Sequence, residues 1–391
     1  MKLVVIGLGQ CGGRIADQFS RLNRKARSQR GIEIATGAFA VNTDAADLSG
    51  LTNIKRDYQH RILIGGRKTG GHGVGKINEL GAEIAREDSD KVIDAIRATR
   101  RFYETDAFLL IAGAAGGTGS GGIPIMAQNI KERFIDKPVY TIIVLPFEHE
   151  EQTEERTIYN AATCLKSTYL VADAIIVVDN QRYVSKDSSL RNNLAKINTF
   201  IAEPFYNLLC AGEERKAKYI GAKLLDAGDI IQTLVGWTVI GYSKSYLSLL
   251  RFLFERTRDF RKRVTETQKG IQAMDEAISR LSVKGNPADS RRALYLVSAP
   301  AKEMNVDLIK ELGAYLKKMA PEAIIRSGDY PRERGSLDIT VMLSELSDVV
   351  KVRNYFTKTI SLISTIKKRQ EGIESDYSAI DGTLKDIPSL L

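Results

Sequence analysis

Short apolar runs closed by glycine alternate with stretches in which apolar residues recur every three or four positions. The first run, 2-KLVVIG-7, is continuous enough to predict a buried strand. In 12-GGRIADQFSRLN-23, Ile15, Phe19 and Leu22 fall at helical spacing. Further strands are predicted near 37–43, 61–65, 107–113, 139–147 and 173–180. Between them lie a helix carrying Ile77, Leu80 and Ile84 on one face and helices near 89–100, 123–134 and 152–170. Strands alternating with helices over about 180 residues predict an α/β fold, a doubly wound parallel sheet covered on both faces.

From 187 to 211 a long helix is predicted. Leu190, Leu194, Ile197, Ile201, Phe205 and Leu208 make one apolar stripe. Pro204 is expected to kink it and Gly212 to end it. Strands are then predicted at 237–243, 293–300, 323–328 and 337–346, with helices at 244–264 and 303–319. The polar segment 268–290 reads as a partly helical, exposed excursion. The expected organisation is a first domain at 1–186, a central helix with an acidic loop at 187–229, a smaller α+β domain at 230–350, and a helical extension with a polar tail at 351–391.

Composition narrows the classes. Of 391 residues, 43% are hydrophobic, and 57 Lys+Arg against 48 Asp+Glu give a net charge of +9. The basic stretches 21-RLNRKARSQR-30 and 256-RTRDFRKR-263 lack interleaved aromatics, so no nucleic-acid partner is expected. Cys11, Cys164 and Cys210 are odd in number and widely spaced, which argues against a disulfide framework and for a reducing compartment. His60, His72 and His149 form no metal-ligand spacing with them, so no dedicated protein-held metal is expected. The start turns polar too soon for a signal peptide, and no run reaches the roughly 18 apolar residues of a membrane span. A cytoplasmic protein is expected.

Three glycine-rich loops carry the candidate chemistry. The first, 7-GLGQCG-12, follows a strand and opens a helix, as in a dinucleotide fold; Glu33 would then be the ribose acid. The second, 70-GGHGVGKI-77, nearly matches a P-loop, but Ile77 stands where a hydroxyl would meet Mg²⁺. The third, 113-GAAGGTGSGG-122, has six glycines in ten residues and two hydroxyls, Thr118 and Ser120. Its successive N–H groups suit an anion nest. A dinucleotide needs only the first loop, whereas a nucleoside triphosphate uses several.

The third loop resembles the tubulin/FtsZ signature GGGTGSG, through Gly116, Gly117, Thr118, Gly119 and Ser120. Beside it, 10-QCGGR-14 resembles the tubulin loop that contacts the phosphates, extending the glycine turn at Gly9 through Gln10, Cys11, Gly12, Gly13 and Arg14. The run 42-NTDAADL-48 is similar to the second loop, through Asn42 and Asp44, and Gly71, Gly73 and Gly75 to the third, γ-phosphate-sensing loop. In 146-PFEHEEQTEER-156, Glu150 matches the ribose acid and Arg156 a displaced arginine of the family. Asn180 and Asn198 match the base contacts, while Leu194 stands where an aromatic often stacks. Asp226 and Asp229 in 223-KLLDAGDIIQTL-234 match the two catalytic acids, with Leu224 in place of an asparagine.

The resemblance implies a GTPase that binds GTP/GDP with Mg²⁺. It implies head-to-tail self-assembly, in which the acids of one subunit complete the site of the next. Within the superfamily the chain most resembles the archaeal tubulin-like CetZ group, implicated in cell shape. The tail 386-DIPSLL-391 is similar to the peptide by which FtsZ docks membrane-anchor or regulatory partners, which would bring the protein to the cell periphery. The competing expectations are an FtsZ-like division GTPase, an NAD-dependent oxidoreductase, and a nucleotide-gated module that hydrolyses poorly.

Overall fold

The computed structural model describes residues 1–184, 190–246, 260–304, 306–333 and 335–362. Its strands are β1 (Leu3–Leu8), β2 (Ala35–Asn42), β3 (Arg61–Leu63), β4 (Ala107–Gly113), β5 (Val139–Leu145), β6 (Ala174–Asp179), β7 (Gly236–Tyr246), β8 (Ser290–Ala299), β9 (Ile324–Pro331) and β10 (Ser336–Leu346). Side by side they run β3-β2-β1-β4-β5-β6-β7-β10-β8-β9 in one sheet. The first six are parallel, and β1 lies between β2 and β4. The winding therefore reverses between β1 and β4, and a crevice opens there at the carboxyl ends of the strands.

The second half extends this sheet. β7 pairs parallel with β6 at Ala174–Gly236 through Ile176–Thr238. β10 then runs antiparallel to β7 and to β8, and β9 pairs parallel with β8. The expected smaller α+β unit is present, but its strands continue the first sheet.

Alternation along each strand fills two cores, one on each face. Val4, Ile6 and Leu8 face one way, with helices α4 (Asn78–Glu87), α5 (Ser89–Arg97), α6 (Thr118–Arg133) and α8 (Glu155–Tyr169). Leu3 and Val5 face the other, with α1 (Gly9–Arg30) and the central helix α9 (Leu190–Ala211). The predicted stripe of α9 is buried at Ile197, Ile201, Phe205 and Leu208. The helix continues through Pro204 and stops before Gly212. Its 22 residues span about 33 Å at 1.5 Å per residue. Its far end lies beside the start of β1, because the Met1 ammonium donates to the Leu209 carbonyl (3.0 Å) and pairs with Glu213 (2.9 Å). It thus carries the chain from the carboxyl end of the parallel strands to their amino end.

Three expectations change. The predicted helix 152–170 is two helices, α7 (Glu148–Thr153) and α8, separated at Glu154, whose backbone is extended (φ −146°, ψ 110°). Residues 244–246, expected to begin a helix, finish β7 instead, and 247–259 lie outside the described residues. The segment 268–290, read as an exposed excursion, takes in the second half of the helix Phe260–Ser279, which buries Ala273, Met274 and Ala277 in the core. Its apolar stripe is narrow, so its polar faces dominate the sequence signal. The beginning of the predicted helix at 187–189 and the tail 386-DIPSLL-391 lie outside the described residues. Among the described residues, no helix is long and apolar enough to cross a membrane.

Candidate functional site

The glycine loops meet at the β1/β4 reversal. β1 gives way to α1 at Gly9, whose φ of +69° suits glycine. A Cβ on Gly12 would stand 2.0 Å from the Ile111 carbonyl oxygen of β4, so only a hydrogen fits. The signature loop turns directly into α6 at Thr118, earlier than the sequence suggested. A Cβ on Gly119 would come within 2.8 Å of the Leu8 carbonyl oxygen, and one on Gly9 within 3.0 Å of the Gly119 nitrogen. Two helix N-termini thus converge, and neither has an acidic residue in its first turn. Free N–H groups and the positive dipole ends suit this place to an anion.

The loops 42-NTDAADL-48 and 70-GGHGVGKI-77 are laced to it. The Thr43 and Thr118 hydroxyls lie 2.6 Å apart and are buried. Asn42 folds back to accept from the Thr43 N–H (2.8 Å), and its amide donates to Asp47 (3.0 Å). The Gln10 amide donates to the other oxygen of Asp47 (2.6 Å). Asp44 caps α2 (Ala45–Ser49) by accepting from the Ala46 and Asp47 N–H groups. Gly71 accepts from the Ala45 N–H and Gly73 donates to the Thr43 carbonyl. Gly70, Gly71, Gly73 and Gly75 all have positive φ, and so does Lys76 (62°). The run is an irregular loop packed on 42–48, unlike the strand-to-helix turn of a P-loop.

On the other flank, the charges of Arg14 and of Glu150 in 146-PFEHEEQTEER-156 act on the half-buried Cys11 thiol in opposite senses. Burial dominates and pushes that thiol up to about 12. Glu150 also accepts from the Phe147 N–H (2.9 Å), and its own N–H donates to the Phe147 carbonyl (3.0 Å), at the start of the six-residue α7. Asn180 opens the short turn after β6, and Asn198 is buried on α9. Tyr183 stacks on Phe200 with centroids 6.4 Å apart, drawing the two asparagine-bearing segments together.

The two predicted acids lie elsewhere. Asp226 is exposed and caps α10 (Ala227–Thr233) by accepting from the Asp229 N–H at 2.9 Å. Asp229 pairs with Arg326 Nε at 3.2 Å. The loop before them is pinned by the buried Asp329, which accepts from the Ala222 and Lys223 N–H groups at 3.0 and 2.6 Å. α10 leads into the amino end of β7, which runs parallel to β6. The acids therefore sit at the opposite end of the sheet from the glycine loops, separated by the length of α9.

Arg156 reaches the end of the loop 70-GGHGVGKI-77. Its Nε donates to the Lys76 carbonyl (3.0 Å) and its guanidinium pairs with Glu79 of α4. The break at Glu154 puts Arg156 in the first turn of α8, on the face towards α4. Glu33 precedes β2, at the amino end of the sheet, and pairs with Arg101 at 2.8 Å, so it cannot serve a dinucleotide ribose in the crevice. Sequence reading missed Asn160. Fully buried on α8, its amide donates to the carbonyls of Lys76, Ala115 and Gly116 and so ties the third loop to the signature loop. Its signal was an asparagine among Thr157, Ala161 and Cys164 on a buried helical face.

This arrangement defines a class. An anion crevice at the reversal of a doubly wound sheet, a long central helix and a remote acidic loop are those of the tubulin/FtsZ superfamily. The comparisons specify it further. The family model "Tubulin/FtsZ family, GTPase domain" matches residues 2–186, and "Tubulin-like CetZ, C-terminal domain" matches 187–361. Tubulin-like protein CetZ1 of Haloferax volcanii is 34% identical over 346 residues, 85% of this chain and 84% of the relative. The solved GDP-bound monomer of that organism's CetZ1 superposes with a TM-score of 0.79 at 30% identity, over 93% of this chain and 99% of the other. Its CetZ2, solved as a GTPγS-bound protofilament, gives 0.80 at 27% identity, over 94% and 100%. The chain belongs to the tubulin-like CetZ family.

Proposed function

We propose that this protein binds GTP or GDP in the crevice between β1 and β4, assembles head to tail, and hydrolyses GTP only at the junction between two copies. The observation that carries this reading is the separation of the parts. The phosphate loops and the acids Asp226 and Asp229 occupy opposite ends of one chain. Stacking copies in one direction brings each acid loop to the next copy's crevice, a heterologous contact that does not close. The CetZ1 and CetZ2 structures, bound to GDP and to GTPγS in a protofilament, support the nucleotide class and the assembly.

In this mechanism the N–H groups at the starts of α1 and α6 hold the phosphates and stabilise charge that develops on them. Gly71, Gly73 and Gly75 lie against the γ-phosphate, Glu150 against the ribose, and Asn180 and Asn198 against the base. Asp226 and Asp229 of the adjoining copy orient a water for in-line attack on the γ-phosphorus. Among the described residues, no three His, Cys, Asp or Glu side chains converge to hold a metal. Mg²⁺ bound with the triphosphate would supply charge neutralisation there. The role is in cell shape, in the cytoplasm or at its periphery, with the tail 386-DIPSLL-391 as a docking peptide.

GTP turnover per molecule, measured against protein concentration, tests the proposal. It should be near zero when dilute and rise steeply at the concentration where filaments appear by light scattering. Turnover per molecule independent of concentration overturns it.

A further inference from the structure

Glu151 and Asp179 are nearly buried carboxylates, with side chains 10% and 11% exposed. Such charges are costly unless paired. Asp179 accepts from the Gln181 N–H (3.1 Å) within its own turn, and the cations that pair with the two carboxylates come from one distant element, the helix 350–362. Lys351 Nζ lies 2.7 Å from Asp179 and 3.9 Å from Glu151. The Tyr355 hydroxyl donates to Glu151, and Lys358 Nζ lies 3.4 Å from its other oxygen. Positions 351, 355 and 358 are one helical face. They form a wall of a cavity of about 840 Å³, which α7 and the turn after β6 also line.

What this face grips gives it meaning. Glu151 directly follows Glu150, and Asp179 directly precedes Asn180. α7 has only six residues, too few to hold its own shape in water. Its orientation must come from its contacts, and the helix 350–362 provides three of them. The same helix secures the turn that carries Asn180.

We propose that Lys351 and Tyr355 are positioning residues for the bound nucleoside, acting through Asp179 and Glu151, so that docking of the helix 350–362 and nucleotide affinity reinforce each other. This rests on the reading of Glu150 and Asn180 as nucleoside contacts. Coupling of this kind is reciprocal: what the helix adds to nucleotide affinity, nucleotide adds to helix docking.

The experiment uses the full chain and GDP. Calorimetric GDP affinity is measured for the unsubstituted protein and for K351M, Y355F, E150A and N180A, each checked by thermal melting. Hydrogen exchange is followed in 350–362 and in Val306–Met319, with and without GDP. The expected result is a loss of affinity of roughly 5- to 50-fold in K351M and Y355F, within the usual range of coupling between sites. GDP should also protect 350–362 beyond its effect on Val306–Met319. Affinity within twofold of the unsubstituted protein in cooperatively melting K351M and Y355F overturns the proposal. So does equal protection of the two helices, which needs no variant and holds if the substitutions fail to fold. Unchanged affinity in E150A and N180A sinks the nucleoside reading itself, whereas weakened affinity there with normal K351M and Y355F sinks only the coupling.

Discussion

Arg326 Nε stands 3.2 Å from Asp229 Oδ1, so one of the two acids has a basic partner within its own chain. That partner occupies one oxygen and leaves the other free to meet a water at a subunit junction. D226A and D229A should each lower GTP turnover by orders of magnitude and leave GDP affinity unchanged, because the crevice lies at the other end of the chain. R326A should do far less. A partly exposed ion pair is worth about 0.2–1 kcal/mol, roughly a 1.5- to 5-fold effect. Phosphate release at saturating protein, beside GDP titration, checks all three. Loss of GDP binding in either Asp variant would mean that these acids serve their own pocket.

Helix contacts behind the signature loop are as close as glycine allows. A Cβ on Gly121 would lie 2.0 Å from the Asn78 carbonyl oxygen, and one on Gly81 2.4 Å from the Gly117 carbonyl oxygen. Both obstacles are backbone, so α4 and α6 must separate to admit a methyl group. G121A and G81A should each destabilise by at least the 1–3 kcal/mol typical of overpacking, about one to three kcal/mol off the urea-extrapolated stability. At Gly66 a Cβ would meet nothing within 4 Å, and G66A is the control that should leave stability little changed.

Much of this was legible beforehand. The strand-and-helix alternation, the stripe on α9 and the order of the glycine loops are local signals, and they emerged near their predicted places. The joining of two predicted sheets was hidden, because pairing of β7 with β6 links residues about sixty positions apart and leaves no local trace. The burial of Phe260–Ser279 was hidden for another reason: its few core residues are small or isolated among charges. At the site, glycines betray themselves by composition, whereas Asn160 works through burial that only the packing of α8 reveals.

Stability should fall at both ends of the pH scale. Burial pushes the Cys164 and Cys210 thiols up to about 12, while an unfolded thiol ionises near 8.5. Their contribution is complete below about pH 8.5 and declines as pH rises towards 12, by at most about 1.4 kcal/mol per unit for each thiol. At the acid end, hydrogen bonds from Lys2 and then Arg101 hold Glu104 down to about 2. Its contribution is present above the ordinary carboxylate value of 4.5 and is lost as pH falls through about 2. Melting temperatures from pH 7 to 10.5 should drop less steeply in C164A and C210A than in the unsubstituted protein, once their lower starting points are subtracted. Parallel slopes would show that these thiols do not set the alkaline limit.

Asn160 offers the sharpest check on the loop architecture. Its amide reaches the Lys76 carbonyl at 2.9 Å, Ala115 at 3.0 Å and Gly116 at 3.2 Å. All three belong to loops that would face the γ-phosphate. Replacing it with leucine fills the space but leaves carbonyls unpaired, at a cost of about 1–3 kcal/mol. N160L should therefore lose stability of that order in urea titration. If the loop 70–77 reads the γ-phosphate as proposed, the variant should lose more affinity for GTPγS than for GDP. N160D, which cannot donate from its ionised carboxylate, should behave at least as badly. Equal losses for the two nucleotides would mean that Asn160 supports the fold alone and that the third loop does not read the terminal phosphate.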